Sequence, residues 1–165
     1  MARAWLSLGS NIQPRQHLAA ALAELRARFG TLAESPWYRT RAVGFDGPDF
    51  FNLTVEMESD LGPLELAAWL HDVEAQHGRD RTQPRFANRT LDIDIVLYDD
   101  LVMEGSGPVR IPRDELGHAF VLRPLSDLVP DLVPPDGDPR TLSQRWCDLP
   151  EQERASVALV PAQKP

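Results

Sequence analysis

The chain has 165 residues, of which 42% are hydrophobic and 25% charged, close to globular averages, so a disordered acidic tail protein is excluded. Its 17 basic and 25 acidic residues leave a net charge of −8, which argues against a nucleic-acid backbone as partner. No apolar run approaches the roughly 20 residues of a membrane helix, and the length suits one domain spanning 1–165.

The apolar stretch that follows Met1 is too short for a secretory signal. Residues 4–9 alternate in character and predict a short buried strand, followed by a turn at Gly9-Ser10-Asn11 in which Ser10 or Asn11 caps the next helix. Leu18, Leu22, Leu25 and Phe29 fall at helical spacing, with Gly30 as the stop. Trp37 to Thr40 reads as strand, and Gly44 to Asp49 as loop. From 50 to 58, Leu53, Val55 and Met57 point one way while Asn52, Thr54, Glu56 and Glu58 point the other.

Pro63 opens a second helix with Leu66, Leu70 and Val73 on its buried face and Gly78 at its end. A polar stretch, 79–88, leads into another alternating strand, Leu91 to Tyr98, with Leu91, Ile93, Ile95 and Leu97 on the core face. The last third holds ten of the 15 prolines and predicts short helices and irregular connections. Its single cysteine, Cys147, suits a reducing cytoplasm. Strand, helix, strand, strand, helix, strand describes an α+β domain with helices on an antiparallel sheet.

Asp92 and Asp94 carry the strongest chemical signal. Residues i and i+2 of a strand share a face, so the two carboxylates stand roughly 6–7 Å apart at their Cα atoms and repel unless a cation intervenes. Mg²⁺ takes such hard oxygen ligands together with substrate phosphates; the alternative is a solvated strand face. Asp99 and Asp100 read as turn residues. Directly before the acidic strand, residues 79–89 hold four arginines and one aspartate, a local charge of +3. Guanidinium forks match phosphate oxygens, although such a run also serves simply to solvate a loop.

Only one lysine, Lys164, is present, so a P-loop or Schiff-base chemistry in the folded body is excluded, and phosphate chemistry must rest on arginine and metal. Phe50 and Asn52 share the polar face of their strand, where an aromatic ring and an amide can hold a planar heterocycle; core packing is the competing reading. His17, His71, His77 and His118 show no metal-ligand spacing.

Several segments together resemble the 6-hydroxymethyl-7,8-dihydropterin pyrophosphokinase family of folate biosynthesis. They are Leu8-Gly9-Ser10-Asn11, Tyr38-Arg39-Thr40, Pro48 to Asn52, Glu74 to Arg79, Arg89-Thr90-Leu91-Asp92-Ile93-Asp94-Ile95 and Ala119 to Leu125. The resemblance implies a ferredoxin-like α+β fold and transfer of the β,γ-pyrophosphoryl unit of ATP to the pterin hydroxymethyl oxygen, releasing AMP. It implies that Asp92 and Asp94 hold two Mg²⁺ ions. Phe50 and Phe120 would sandwich the pterin, Asn52 would read its edge, and Thr40 and Val43 would line the pocket.

Glu74, Phe86, Arg89, Ile95, Arg110 and Arg113 would hold ATP, while Arg79, Arg81 and Arg85 would reach the phosphates from a closing loop. The partners expected are these two small molecules alone, with neither nucleic acid nor membrane, and a monomeric cytoplasmic chain. A nucleotidyltransferase and a catalytically silent pterin-binding homologue are the alternatives. Three positions depart from the common family pattern: Phe86 replaces a loop tryptophan, Arg113 a histidine, and His118 an arginine.

Overall fold

A computed structural model of the chain describes residues 1–42, 46–78, 90–105 and 107–161. In chain order the elements are β1 (Ala2–Ser10), α1 (Pro14–Phe29), β2 (Ala33–Glu34), β3 (Tyr38–Thr40), β4 (Phe50–Ser59), α2 (Pro63–Gln76) and β5 (Asp92–Tyr98). A 3₁₀ turn (Asp114–Gly117), α3 (Ala119–Leu128), α4 (Leu142–Asp148), α5 (Glu151–Arg154) and β6 (Val157–Leu159) follow. The sheet runs β5-β1-β4-β3-β6, with β2 also paired to β4, and every neighbouring pair is antiparallel. The inner order is the ferredoxin-like arrangement: each helix returns the chain past one strand, so β1 comes to lie between β4 and β5.

One face of the sheet carries Ala4, Leu6, Leu8, Leu53, Val55, Met57, Ile93 and Ile95, packed under Leu18, Leu22 and Leu25 of α1 and Leu66, Leu70 and Val73 of α2. Leu6, Leu8, Leu18, Leu25, Leu53, Leu66 and Leu70 are fully buried, and each contributes about 1.5–3 kcal/mol of transfer free energy. The opposite face is covered by α3 and α4, through Trp5, Val96, Leu116, Val121, Leu122, Leu125 and Leu142.

Three expectations need correction. Neither Ser10 nor Asn11 caps α1: the cap is Gln13, in a left-handed conformation (φ 42°, ψ 54°), with Pro14 opening the helix and no side-chain bond. Ser10 instead donates to the Ile12 carbonyl (3.1 Å), and Asn11 donates to the Pro48 carbonyl (3.2 Å), tying the end of β1 to the loop before β4. Leu97 leaves the core face of β5, because the pairing with β1 shifts register between Trp5 and Leu6, which turns Leu97 with Val96 toward α3. On the polar side of β4, as the alternation predicts, Asn52 and Thr54 point away from Leu53 and Val55; both are buried beneath α3. Finally, the last third of the chain returns to the sheet as β6, paired with β3.

Candidate active site

The antiparallel register builds the site row by row. Gly9 of β1 lies opposite Asn52 of β4 on one side and Asp92 of β5 on the other, and Asn52 lies opposite Tyr38 of β3. The next row sets Asp94 opposite Ser7, and Ser7 opposite Thr54. Directly opposed residues of an antiparallel pair share a face. Both candidate metal carboxylates and the candidate pterin amide therefore stand on the α3 side of one sheet, with Phe50 and Thr40 paired just beyond them.

Asn52 is 5% exposed, and its Nδ2 donates to Thr40 Oγ1 at 2.9 Å. Its Oδ1 lies over Gly9, where a Cβ would sit only 2.9 Å from it. Gly9 is thus the bare floor between the amide and Asp92, and its need is for space. Sequence reasoning placed Gly9 at the end of the first strand, in the turn that follows and in a family motif, but gave it no role. Its role depends on a cross-strand neighbour more than 40 residues away.

Phe120 is the second residue of α3, half-buried against the second core cluster, with the His118 ring edge-on at 5.5 Å. The helix is fixed to β3 by a polar cluster. The Tyr38 hydroxyl donates to Asp127 and accepts from Arg123 Nε at 3.1 Å, and the Arg123 guanidinium stacks on Trp146. Burial, reinforced by the bond to Asp127, pushes the Tyr38 phenol above its ordinary value, so it stays protonated.

Asp92 and Asp94 are both half-buried. Arg113 sits at the outer edge of β5, its N–H donating to the Val96 carbonyl at 3.0 Å. Its guanidinium lies 3.5 Å from Asp94 and 2.9 Å from Glu115. Arg110 is exposed and 3.5 Å from Asp114. A cavity of about 520 Å³ opens beside this edge, lined by Arg110, Arg113, Arg140 and Arg145 among others, but by neither Asp92 nor Asp94.

Glu74 is 2% exposed on α2, and Ile95 is buried on the helix-packed face of β5. These two candidates lie on the opposite side of the sheet from the aspartates. A single ligand reaches both sets only by lapping over β5, which is the end strand. Val43 and the loop residues Arg79, Arg81, Arg85, Phe86 and Arg89 lie outside the described residues. Asp99 closes a turn, its carboxylate accepting from the Arg3 N–H at 2.8 Å. Away from the site, His17 Nδ1 and His77 Nδ1 meet at 2.8 Å, a pairing that spacing along the chain does not reveal.

The donor set fits a hard cation. Two carboxylates on one strand face supply oxygen ligands alone, and among the described residues no third Asp, Glu, His or Cys completes a closed metal cluster. That leaves coordination positions for phosphate oxygens and water, the usual manner of Mg²⁺ binding.

A family model described as 7,8-dihydro-6-hydroxymethylpterin-pyrophosphokinase matches residues 5–130. The chain belongs to this family. Among curated relatives, a 2-amino-4-hydroxy-6-hydroxymethyldihydropteridine pyrophosphokinase of Synechocystis is 38% identical over 134 residues, covering 79% of this chain and 68% of the relative. A protein of the same name from Pseudomonas aeruginosa is 37% identical over 145 residues, covering 82% and 85%. A crystal structure of Plasmodium falciparum HPPK-DHPS superposes with a TM-score of 0.67 at 15% identity, over 88% of this chain and 43% of that one. The last likeness bears on the fold, which is ferredoxin-like in family members as here.

Proposed function

We propose that this pyrophosphokinase-family chain, acting as a single cytoplasmic domain and a monomer, transfers the pyrophosphoryl group of ATP to the hydroxymethyl oxygen of 6-hydroxymethyl-7,8-dihydropterin and releases AMP. The observation that carries the reading is the row Asn52–Gly9–Asp92. Two strand spacings, about 10 Å in all, separate an amide suited to a pterin edge from a carboxylate suited to a metal–phosphate complex. The family match supports the same chemistry, and the exposed free thiol of Cys147 suits a reducing compartment.

In this reading Asn52, held by Thr40, fixes the heterocycle, while Phe50 and Phe120 approach it from β4 and α3; Val43 joins the pterin set on sequence grounds. The hydroxymethyl oxygen then projects over Gly9 toward Asp92. Asp92 and Asp94 would hold Mg²⁺, two ions in the arrangement proposed, which on binding neutralises the triphosphate and withdraws charge from the transferred group. The pterin oxygen bonds to the β-phosphorus, the bond from that phosphorus to the α,β-bridging oxygen breaks, and the hydroxyl proton passes to water.

Glu74 and Ile95 would meet the nucleoside across the edge of β5. Arg110 and Arg113 lie at that edge, and Phe86 and Arg89 complete the nucleotide set. Arg79, Arg81 and Arg85 join the proposal on sequence grounds, as the cations that a chain without a usable lysine brings to phosphate.

The deciding experiment incubates the protein with ATP, Mg²⁺ and the hydroxymethyl-dihydropterin and identifies the products. AMP with pterin pyrophosphate is expected, and Asp92→Asn or Asp94→Asn should lower turnover at least ~10²-fold. Release of inorganic pyrophosphate, or tight binding of both ligands without turnover, would overturn the reading.

A further inference from the structure

We propose that Arg113 is a resident counter-cation of Asp94 which a divalent ion must displace, and that Glu115 is the positioning residue that makes it displaceable. This rests on the reading of Asp92 and Asp94 as metal ligands. Two carboxylates on one strand face repel, and part of that repulsion is offset by the Arg113 guanidinium, 3.5 Å from Asp94 Oδ2. The side chains of Arg113 and Asp94 are each about one-third exposed (33% and 32%), so this is an edge contact open to competition from solvent ions.

Arg113 is held independently of Asp94. Its N–H donates to the Val96 carbonyl at 3.0 Å, and its own carbonyl accepts from Leu116 at 3.1 Å. Along the guanidinium, Nε meets Glu115 Oε2 at 2.9 Å, while Nη2 makes the longer contact to Asp94. One positive charge is thus divided between two carboxylates, with the closer partner away from the metal position. A divalent ion arriving at Asp94 breaks only the weaker contact, and Arg113 stays anchored on Glu115 with Nη2 free to meet phosphate oxygen.

The two partners of Arg113 therefore act on metal affinity with opposite signs. Without the guanidinium, Asp94 loses the counter-charge that Arg113 supplies and draws a cation more strongly. Without the Glu115 charge, Asp94 becomes the sole carboxylate of these two for Arg113, and the pair tightens against metal. Loss of structure would weaken binding in both variants and cannot give opposite signs.

The test is Mn²⁺ binding to the nucleotide-free protein, followed by the electron paramagnetic resonance signal of free Mn²⁺. Wild type, Arg113→Met, Glu115→Gln and Asp94→Asn are compared at fixed ionic strength, with a thermal melt of each. Arg113→Met should bind about 3- to 10-fold tighter and Glu115→Gln about 2- to 5-fold weaker, as expected for partly exposed charges at this range. Asp94→Asn should lose most of the affinity. Should Arg113→Met not fold, the weakening in Glu115→Gln, set against an unchanged melt, decides alone.

If Asp94→Asn weakens binding while the Arg113 and Glu115 variants match wild type, or both weaken together, the counter-cation role is wrong and the metal site stands. If Asp94→Asn binds Mn²⁺ as well as wild type, the metal reading fails and takes the inference with it.

Discussion

Gly9→Ala tests the architecture of the site with a single methyl group. The new Cβ would lie 2.9 Å from Asn52 Oδ1 and 3.8 Å from the Phe51 carbonyl. Ordinary contact needs about 3.4 Å, so the Asn52 amide has to retreat by roughly 0.5 Å. It cannot do so freely, because its Nδ2 is bonded to Thr40 Oγ1 at 2.9 Å in a buried setting. Thr40 stands on β3, on the side of β4 away from Gly9, so a retreat of that size drives the amide against the Thr40 hydroxyl and it must swing out of its hydrogen bond.

The net loss is about 1 kcal/mol of stability, rising toward ~3 kcal/mol if the amide is left unpaired. An amide displaced by half an ångström should weaken pterin binding about 10-fold, while ATP-analogue affinity stays within about 3-fold. Urea unfolding, pterin fluorescence titration and calorimetry with the analogue measure the three quantities. Asn52→Ala removes the clash, so adding Gly9→Ala to it should cost little more, a non-additive cycle. Wild-type stability and pterin affinity in the single Gly9→Ala variant would refute the floor assigned to Gly9.

Three further perturbations follow from the geometry. Phe120→Ala should lose roughly 1–3 kcal/mol of pterin affinity and leave nucleotide affinity unchanged; equal loss of both, with a lowered Tm, would make Phe120 a packing residue. Arg145, 7% exposed, donates to both oxygens of Asp136 at 2.6 and 2.8 Å. Arg145→Ala should cost about 2–3 kcal/mol in urea unfolding, below the fully buried limit because Asp136 reaches solvent. Arg145 holds the Asp136 carboxyl below its ordinary 3.8, so this contribution is complete above that pH and fades as pH falls through the folded value.

Burial, and then the neighbouring His77, hold the His17 imidazole below its ordinary 6.5. Its contribution is complete above pH 6.5 and is lost as pH falls through the lower folded value. His17→Asn should accordingly flatten the fall in Tm between about pH 7.5 and about pH 5; an unchanged slope would refute the assignment.

The parts of the fold that a sequence states locally were legible. Period-two runs around Leu53, Val55, Ile93 and Ile95, and helical spacing at Leu18, Leu22, Leu66 and Leu70, follow from which face must be buried. Leu97 was misplaced because a register shift is set by pairing with Trp5 and Leu6, which the strand itself does not encode. β6 was missed because three residues, Val157–Leu159, carry little pattern of their own and find β3 only in the folded chain. Asp92, Asp94, Phe50 and Asn52 were legible as polar or aromatic residues on a strand face. Their convergence, and the roles proposed for Gly9 and Glu115, were not, since these depend on neighbours brought together across strands and loops.

The two faces of the sheet differ in what they bury. The α1 and α2 face is aliphatic and self-consistent, and it supplies the stability. The other face buries Ser7, Thr40, Asn52 and Thr54, groups whose burial is costly unless they are bonded. The Thr54 hydroxyl has no hydrogen-bond partner among the described residues. Aliphatic residues there would carry no such cost. What the polar side offers instead is a row in which the central strand contributes only small residues, Ser7 and Gly9, between the amide of β4 and the carboxylates of β5. A flat acceptor and a metal-bound phosphate can approach each other only where the central strand leaves room. In the proposed reaction the constraint therefore falls on Gly9, a residue with no chemistry of its own, as heavily as on the aspartates.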